Sequence, residues 1–261
     1  MFEFAANLSM LFTEVPFPAR FESAAESGFR AVEYLFPYEW PADQLREQLE
    51  RHQLRQALFN APPGDWQAGE RGLACLAGRE EDFGAGLEAV LDYASVLENH
   101  LVHVMAGIVP AGQDPALARD TYIRNIQQAA DILGQAGLTV CIEPINHADM
   151  PGYFLNTVPQ ALGLLDEISR ENVRLQFDIY HCQRTTGDVT LWLERALPQI
   201  GHIQIAGVPG RHEPDYGELN YPWLFERLRQ LGYSGYVGCE YVPAGKTEDG
   251  LAWLKEELSR K

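Results

Sequence analysis

Eight short apolar runs alternate with segments of helical spacing from one end of this 261-residue chain to the other. The strand-like runs are Phe2–Asn7, Ala31–Phe36, Arg55–Asn60, Leu101–Ala106, Leu138–Glu143, Val173–Ile179, His202–Ala206 and Tyr236–Tyr241. Between them, Phe17–Ser27 carries Phe21, Ala24 and Ala25 on one helical face, and Ala116–Leu133 repeats Tyr122, Ile123, Ile126 and Ala130 at helical intervals. Pro222–Leu231 ends at Gly232, a residue suited to terminate a helix. About eight β-then-α units in about 260 residues predict a parallel (β/α)8 barrel. A doubly wound open sheet is the main rival. It usually carries a glycine-rich phosphate loop after its first strand, and Leu8-Ser9-Met10-Leu11 has no glycine. No linker or shift in composition divides the chain, so one domain over 1–261 is expected.

Four polar residues sit near the ends of the later runs: Glu143, Asp178, Gln204 and Glu240. Side chains alternate across a strand with a period of two, so facing can be read from position. Glu143 shares a face with Cys141 and opposes Val140 and Ile142; Asp178 shares one with Gln176 and opposes Leu175 and Phe177. Gln204 lies with His202 opposite Ile203 and Ile205, and Glu240 lies with Gly238 opposite Val237 and Cys239. The branched aliphatics suit the outer helices, which turns all four polar residues inward, where barrel enzymes build their sites. Three acids packed together repel unless a cation lies between them, and an all-oxygen set points to a hard divalent metal. A helix cap or a salt-bridge partner at the barrel mouth is the structural alternative for any one of them. Asn7 and Glu33, inward by the same parity, line the pocket or serve as structural hydrogen-bond partners.

His181, just beyond Asp178, is expected to reach a bound substrate. Arg211 lies in the turn-rich 207–218 loop after Gln204, and its planar fork can hold a carboxylate bidentately. The irregular stretch Ala61–Glu81, with Pro62-Pro63-Gly64, Gly69, Gly72 and Gly78, reads as a lid or binding loop, or else as a surface insertion. The formal net charge of -17 should repel nucleic acid and anionic lipid alike, so neither is an expected partner. A small anionic substrate would likewise need a local metal or arginine. Met1-Phe2-Glu3-Phe4 lacks a basic region followed by an apolar stretch, so no signal peptide is expected; nor is there an apolar run of membrane-spanning length. Cys75, Cys141, Cys182 and Cys239 are widely spaced, which predicts reduced, buried thiols in a cytoplasmic protein. A dinucleotide fingerprint, a Gly-x-Ser-x-Gly elbow, a phosphate loop and a His-Glu-x-x-His helix are all missing.

Several motifs carry a family likeness. Glu143-Pro144-Ile145-Asn146, Phe177-Asp178-Ile179-Tyr180-His181, Gln204-Ile205-Ala206, Pro209-Gly210-Arg211-His212-Glu213-Pro214, Gly217-Glu218-Leu219-Asn220-Tyr221 and Gly238-Cys239-Glu240-Tyr241 resemble hydroxypyruvate isomerases, which belong to the xylose-isomerase-like TIM barrels. Phe4-Ala5-Ala6-Asn7-Leu8-Ser9-Met10 and the stretch from Phe59-Asn60 to Gly64-Asp65 are similar too, so the likeness spans nearly the whole chain. It implies that Glu143 and Glu240 are proton donor and acceptor and also metal ligands, with Asp178 and Gln204 completing the site. It further implies that His181 and Arg211 bind substrate, as the matching positions do in related sugar epimerases. Many of those epimerases carry a histidine where this chain has Gln204. An amide oxygen there favours Mg²⁺, or Mn²⁺, over a zinc-loving site.

The activity implied is an aldose-ketose type isomerisation, interconverting hydroxypyruvate and 2-hydroxy-3-oxopropanoate (tartronate semialdehyde) through an ene-diolate. The expected partner is thus a small anionic hydroxy-keto acid, and a homo-oligomer is left open. A 2-oxo-tetronate isomerase or a ketose 3-epimerase is the alternative within enzymes. A non-catalytic metal- or carbohydrate-binding barrel is the alternative outside them. A metal-dependent nuclease would need a basic track and more histidine ligands.

Overall fold

The computed structural model describes residues 2–260; Met1 and Lys261, the ends of the expected 1–261 domain, lie outside it. Its eight strands are β1 (Glu3–Asn7), β2 (Ala31–Tyr34), β3 (Arg55–Asn60), β4 (Leu101–His103), β5 (Thr139–Ile142), β6 (Val173–Asp178), β7 (Ile200–Ile205) and β8 (Tyr236–Cys239). Each pairs in parallel with the next, and β8 pairs with β1, so the sheet closes on itself. That closure settles the (β/α)8 barrel against the open sheet. The helices between and after the strands are α1 (Phe17–Glu26), α2 (Ala42–Arg51), α3 (Glu80–Leu97), α4 (Pro115–Gly134), α5 (Val158–Ile168), α6 (Ile179–Thr185), α7 (Val189–Ala196), α8 (Tyr221–Gln230) and α9 (Ala252–Ser259).

Local chemistry starts these helices where the chain needs them. Asp114, Thr157 and Asn220 accept backbone N–H bonds at the N-termini of α4, α5 and α8, each followed by a proline within the first two helical positions. Gly28, at φ +100°, turns the chain from α1 toward β2 in a backbone shape that a side chain would oppose. The apolar side chains assigned outward by parity, among them Val140, Ile142, Leu175, Phe177, Ile203, Ile205 and Val237, pack in the main core between strands and helices. A separate small cluster of Ala5, Ala31 and Ala57 fills the barrel's interior near the amino ends of the strands.

The paired strands stop earlier than several apolar runs do. Leu101–Ala106 pairs only as Leu101–His103, and Tyr236–Tyr241 only as Tyr236–Cys239. Backbone groups past these ends take other partners: the Ala106 carbonyl accepts from Cys75 N–H at 2.8 Å. The same segment answers part of the question raised by the 61–81 stretch. Leu73, Ala74 and Cys75 are buried, while Trp66 is exposed with the Arg71 guanidinium 3.8 Å from its ring centre. The stretch is therefore anchored at Ala61 and Pro63 and again over 72–75, and solvent-facing over 65–69 and at Ala77 and Gly78. All four cysteines are buried and unpaired.

Candidate active site

The carboxyl ends of β5 to β8 deliver the four inward residues to one place. Asp178 is the last residue of β6, Gln204 lies next to the end of β7, and Glu143 and Glu240 each follow their strand by one residue. Register puts Asp178 beside Gln204 and Gln204 beside Gly238 across neighbouring strands. All four are buried, Glu240 the most exposed at 5%.

Burial sets the electrostatics. Desolvation, then the charges of Glu240 and Asp178, hold the Glu143 carboxyl well above the usual carboxylate range. Glu240 is pushed up to about 8, again chiefly by burial, with the Arg211 charge opposing and Asp178 reinforcing the shift. Asp178 rises to about 6, burial outweighing Arg211 and two backbone N–H donors. Those donors come from α6: Asp178 caps the helix, its Oδ1 accepting from Tyr180 N–H at 2.7 Å and His181 N–H at 3.3 Å. Strand end and helix start are thus one residue, and His181 enters the site because the first turn of α6 carries it there.

The hydrogen-bond network also fixes the role of the His181 ring. Asn146 Oδ1 accepts from the backbone N–H groups of Ala148 and Asp149, so its Nδ2 faces the histidine, 2.7 Å from Nδ1. Nδ1 therefore accepts. Burial, followed by the Arg211 and Arg184 charges, keeps the ring well below its ordinary pKa and so neutral. Its single proton sits on Nε2, which lies 3.7 Å from Asp178 Oδ2 and 3.9 Å from Glu143 Oε1. Ligand atoms of Glu143, Asp178 and His181 fall within 4.8 Å of one another, a spacing open to a metal ion. In this tautomer, however, Nε2 offers a proton and no lone pair, which suits a donor to substrate better than a ligand.

Arg211 sits at a left-handed backbone position in the loop between β7 and α8, at φ +56°. Its Nη2 is 2.6 Å from Glu240 Oε2 and 3.7 Å from Asp178 Oδ2, and its guanidinium lies 5.1 Å from the Tyr180 ring centre. Arg211 thus joins the acids directly. Gln204 joins them through Glu33 and Asn7, described below.

The donor set fits a hard divalent cation. Glu143 Oε1 and Asp178 Oδ2 are buried oxygens with no hydrogen-bond partner, and burial and mutual repulsion raise the proton affinity of the acid cluster, a penalty that a cation would relieve. Among the described residues, sequence reasoning passed over His103, whose Nδ1 is 3.5 Å from Glu143 Oε2, and Asn146. Strand parity on β4 could have found His103. Asn146 acts from a loop, where no periodicity applies.

The family whose model is described as xylose isomerase-like TIM barrel matches residues 21–257. A 2-oxo-tetronate isomerase of Cupriavidus necator is 56% identical over 98% of this chain and 99% of its own length. The hydroxypyruvate isomerase of Escherichia coli is 45% identical over 97% of this chain and 98% of its own. A Brucella melitensis crystal structure titled AP endonuclease, family 2, superposes with TM-score 0.96 at 50% identity, covering 98% and 99% of the two chains. A Clostridium cellulolyticum D-psicose 3-epimerase shares the fold at TM-score 0.78 and 17% identity, covering 95% and 89%.

Proposed function

The chain belongs to the xylose isomerase-like TIM barrel family, and from that premise we propose that it is a hydroxypyruvate isomerase, a one-domain enzyme over residues 1–261. The observation that carries this reading is the meeting of two buried glutamyl carboxyls, a neutral imidazole N–H and a half-buried guanidinium at one barrel mouth. Those groups can supply a base and an acid, a hydrogen-bond donor to a developing oxyanion and an anchor for a carboxylate, which isomerisation of a 2-oxo acid can use.

Arg211 binds the substrate carboxylate, exchanging its contact with Glu240 for one with the ligand. One of Glu143 and Glu240 removes a proton from the hydroxyl-bearing C3. The electron pair left behind forms the C2–C3 double bond of an ene-diolate, and the C2 carbonyl oxygen takes up negative charge. The Nε2 proton of His181 faces that oxygen and stabilises it. The second glutamate, or the same one, returns a proton to C2. The C3 hydroxyl gives up its proton as the aldehyde forms, and the C2 oxygen gains one. Burial raises the basicity of both glutamates once they are ionised, which suits proton abstraction from carbon. A divalent cation, Mg²⁺ or Mn²⁺, held by Glu143, Asp178, Gln204 and Glu240, supplies stabilisation of the ene-diolate charge when bound.

The test is turnover of hydroxypyruvate before and after chelation. Activity should vanish on metal removal and return with Mg²⁺ or Mn²⁺; activity that persists after complete removal contradicts the metal assignment. A second reading, 2-oxo-tetronate as the preferred substrate, is favoured by the 56% identity to the C. necator protein of that name. The ratio of kcat/KM for hydroxypyruvate, 2-oxo-tetronate and free ketoses separates the two and exposes any epimerase activity. A nucleic-acid substrate, suggested by the name of the B. melitensis protein, is opposed by the net charge of -17. No helix among the described residues is long and apolar enough to cross a membrane, and a cytoplasmic location accords with four unpaired thiols.

A further inference from the structure

We propose that Glu33 is the positioning residue of the site, a carboxylate beneath the acid cluster that fixes the orientation of Gln204 and holds Asn7 against Glu240. The inference rests on the functional reading above for its importance, but its geometry stands alone.

Glu33 lies on β2, fully buried inside the barrel. Its Oε1 accepts from Asn7 Nδ2 at 3.0 Å and from Gln204 Nε2 at 2.9 Å, and its Oε2 lies 2.6 Å from His202 Nε2. The two Oε1 contacts both lead to the site. Gln204 is held from its other side by Gln176, whose Nε2 donates to Gln204 Oε1 at 2.7 Å. With its nitrogen on Glu33, the amide must present its oxygen away from Glu33, and only the oxygen can serve a cation. Asn7 is oriented in the same way. Its Oδ1 accepts from Ser9 N–H at 3.1 Å, leaving Nδ2 to bridge Glu33 Oε1 and, at 3.4 Å, Glu240 Oε1. One carboxylate therefore sets the amide orientation of Gln204 and steadies Glu240, two residues delivered by different strands.

The neighbouring strand makes room for it. A Cβ on Gly238 would lie 2.3 Å from Glu33 Oε2 and 2.4 Å from Oε1, closer than such atoms approach. The inward position of β8 one step below Glu240 is thus left without a side chain where Glu33 needs the space. A buried pair with His202 is an inefficient way to stabilise a barrel, because apolar residues of similar volume often serve as well. Nor would such a pair require Oε1 to collect two donors from the site.

The test compares wild type with Glu33→Gln and Gly238→Ala, the second displacing the carboxylate without deleting a polar group. Mn²⁺ affinity by calorimetry and kcat on hydroxypyruvate are the readouts. Both variants should lose about 10- to 100-fold in Mn²⁺ affinity, the usual effect of removing a partner that orients a ligand, with unchanged far-UV circular dichroism. Val32→Ala, in the outer core on the same strand, should lower Tm and leave both readouts alone. Variants within twofold of wild type, Val32→Ala matching their losses, or wild-type protein that binds no Mn²⁺ would each overturn the proposal. If Glu33→Gln fails to fold, Gly238→Ala decides. Wild-type protein that binds Mn²⁺ but turns over no 2-oxo acid sinks the functional reading alone, and the affinity comparison still judges Glu33.

Discussion

The two ends of the barrel interior are built from the same strands and the same parity, yet hold opposite chemistry. Near the amino ends, Ala5, Ala31 and Ala57 close the interior with methyl groups. Two residues further along β1 and β2, the inward positions are Asn7 and Glu33, paired with each other in register. At the carboxyl ends of β5 to β8 come Glu143, Asp178, Gln204 and Glu240. The alanine end and the outer aliphatic shell remove apolar surface from water and stabilise the fold. The acid end works against the fold, since carboxyls are desolvated there and raise one another's proton affinity. Stability and chemistry are separated along one axis, so substitutions at the two ends should fail in different assays.

The largest effect is expected from Glu143→Gln or Glu240→Gln. Turnover should fall by about 100- to 10,000-fold, the usual worth of a positioned acid or base, with no loss of Tm. A variant with near-wild-type kcat and metal bound would break the contrast. Arg211→Met should follow, reducing kcat/KM by about 10- to 150-fold, corresponding to about 1.5–3 kcal/mol for a charged hydrogen-bond partner, while a neutral ketose is less affected. At the opposite end, Ala57→Leu overfills the alanine layer and should cost about 1–3 kcal/mol in denaturant unfolding, with kcat unchanged. A kcat that fell in step with stability would show that the ends are not separable.

The smallest and most diagnostic effect is in pH. A carboxyl whose pKa is raised in the folded state keeps its proton after the unfolded chain has released it. Glu240 does so between its ordinary value of 4.5 and about 8, and Asp178 between 3.8 and about 6. Across that window the folded state binds more protons than the unfolded one, so stability falls as pH rises. His103 and His181, held below the ordinary histidine value of 6.5 chiefly by burial, oppose this slope at lower pH. Metal-free protein should therefore lose Tm from about pH 6.5 to pH 8, and Mg²⁺ or Mn²⁺ should restore more at the upper end, where cation and proton no longer compete. A flat or rising Tm in the metal-free protein would contradict the shifts.

The barrel and the four strand-end residues were legible because both rest on period two, which a strand imposes whatever its neighbours. The outward assignment of Val140, Ile142, Leu175 and Phe177 needed nothing else. Strand ends were less legible: Ala106 is as apolar as a strand residue, but its carbonyl bonds to Cys75 in a loop 31 positions earlier. The His181 tautomer depends on Asn146, and the orientation of Gln204 depends on Glu33 at a separation of 171 residues. Sequence order says nothing about contacts of that range. Parity did turn Glu33 and Asn7 inward, but only coordinates distinguish a pocket wall from a support beneath it.

Proton exchange at the substrate carbon in D₂O is the most direct measurement of the central claim, that Glu143 and Glu240 move a carbon-bound proton at this barrel mouth. Proton NMR of hydroxypyruvate with metal-loaded enzyme should show deuterium entering at C3 or arriving at C2 of the product, and neither change with Glu143→Gln or Glu240→Gln. Product formed by the wild type with full retention of the original hydrogen on carbon, or exchange undiminished in both variants, would contradict it.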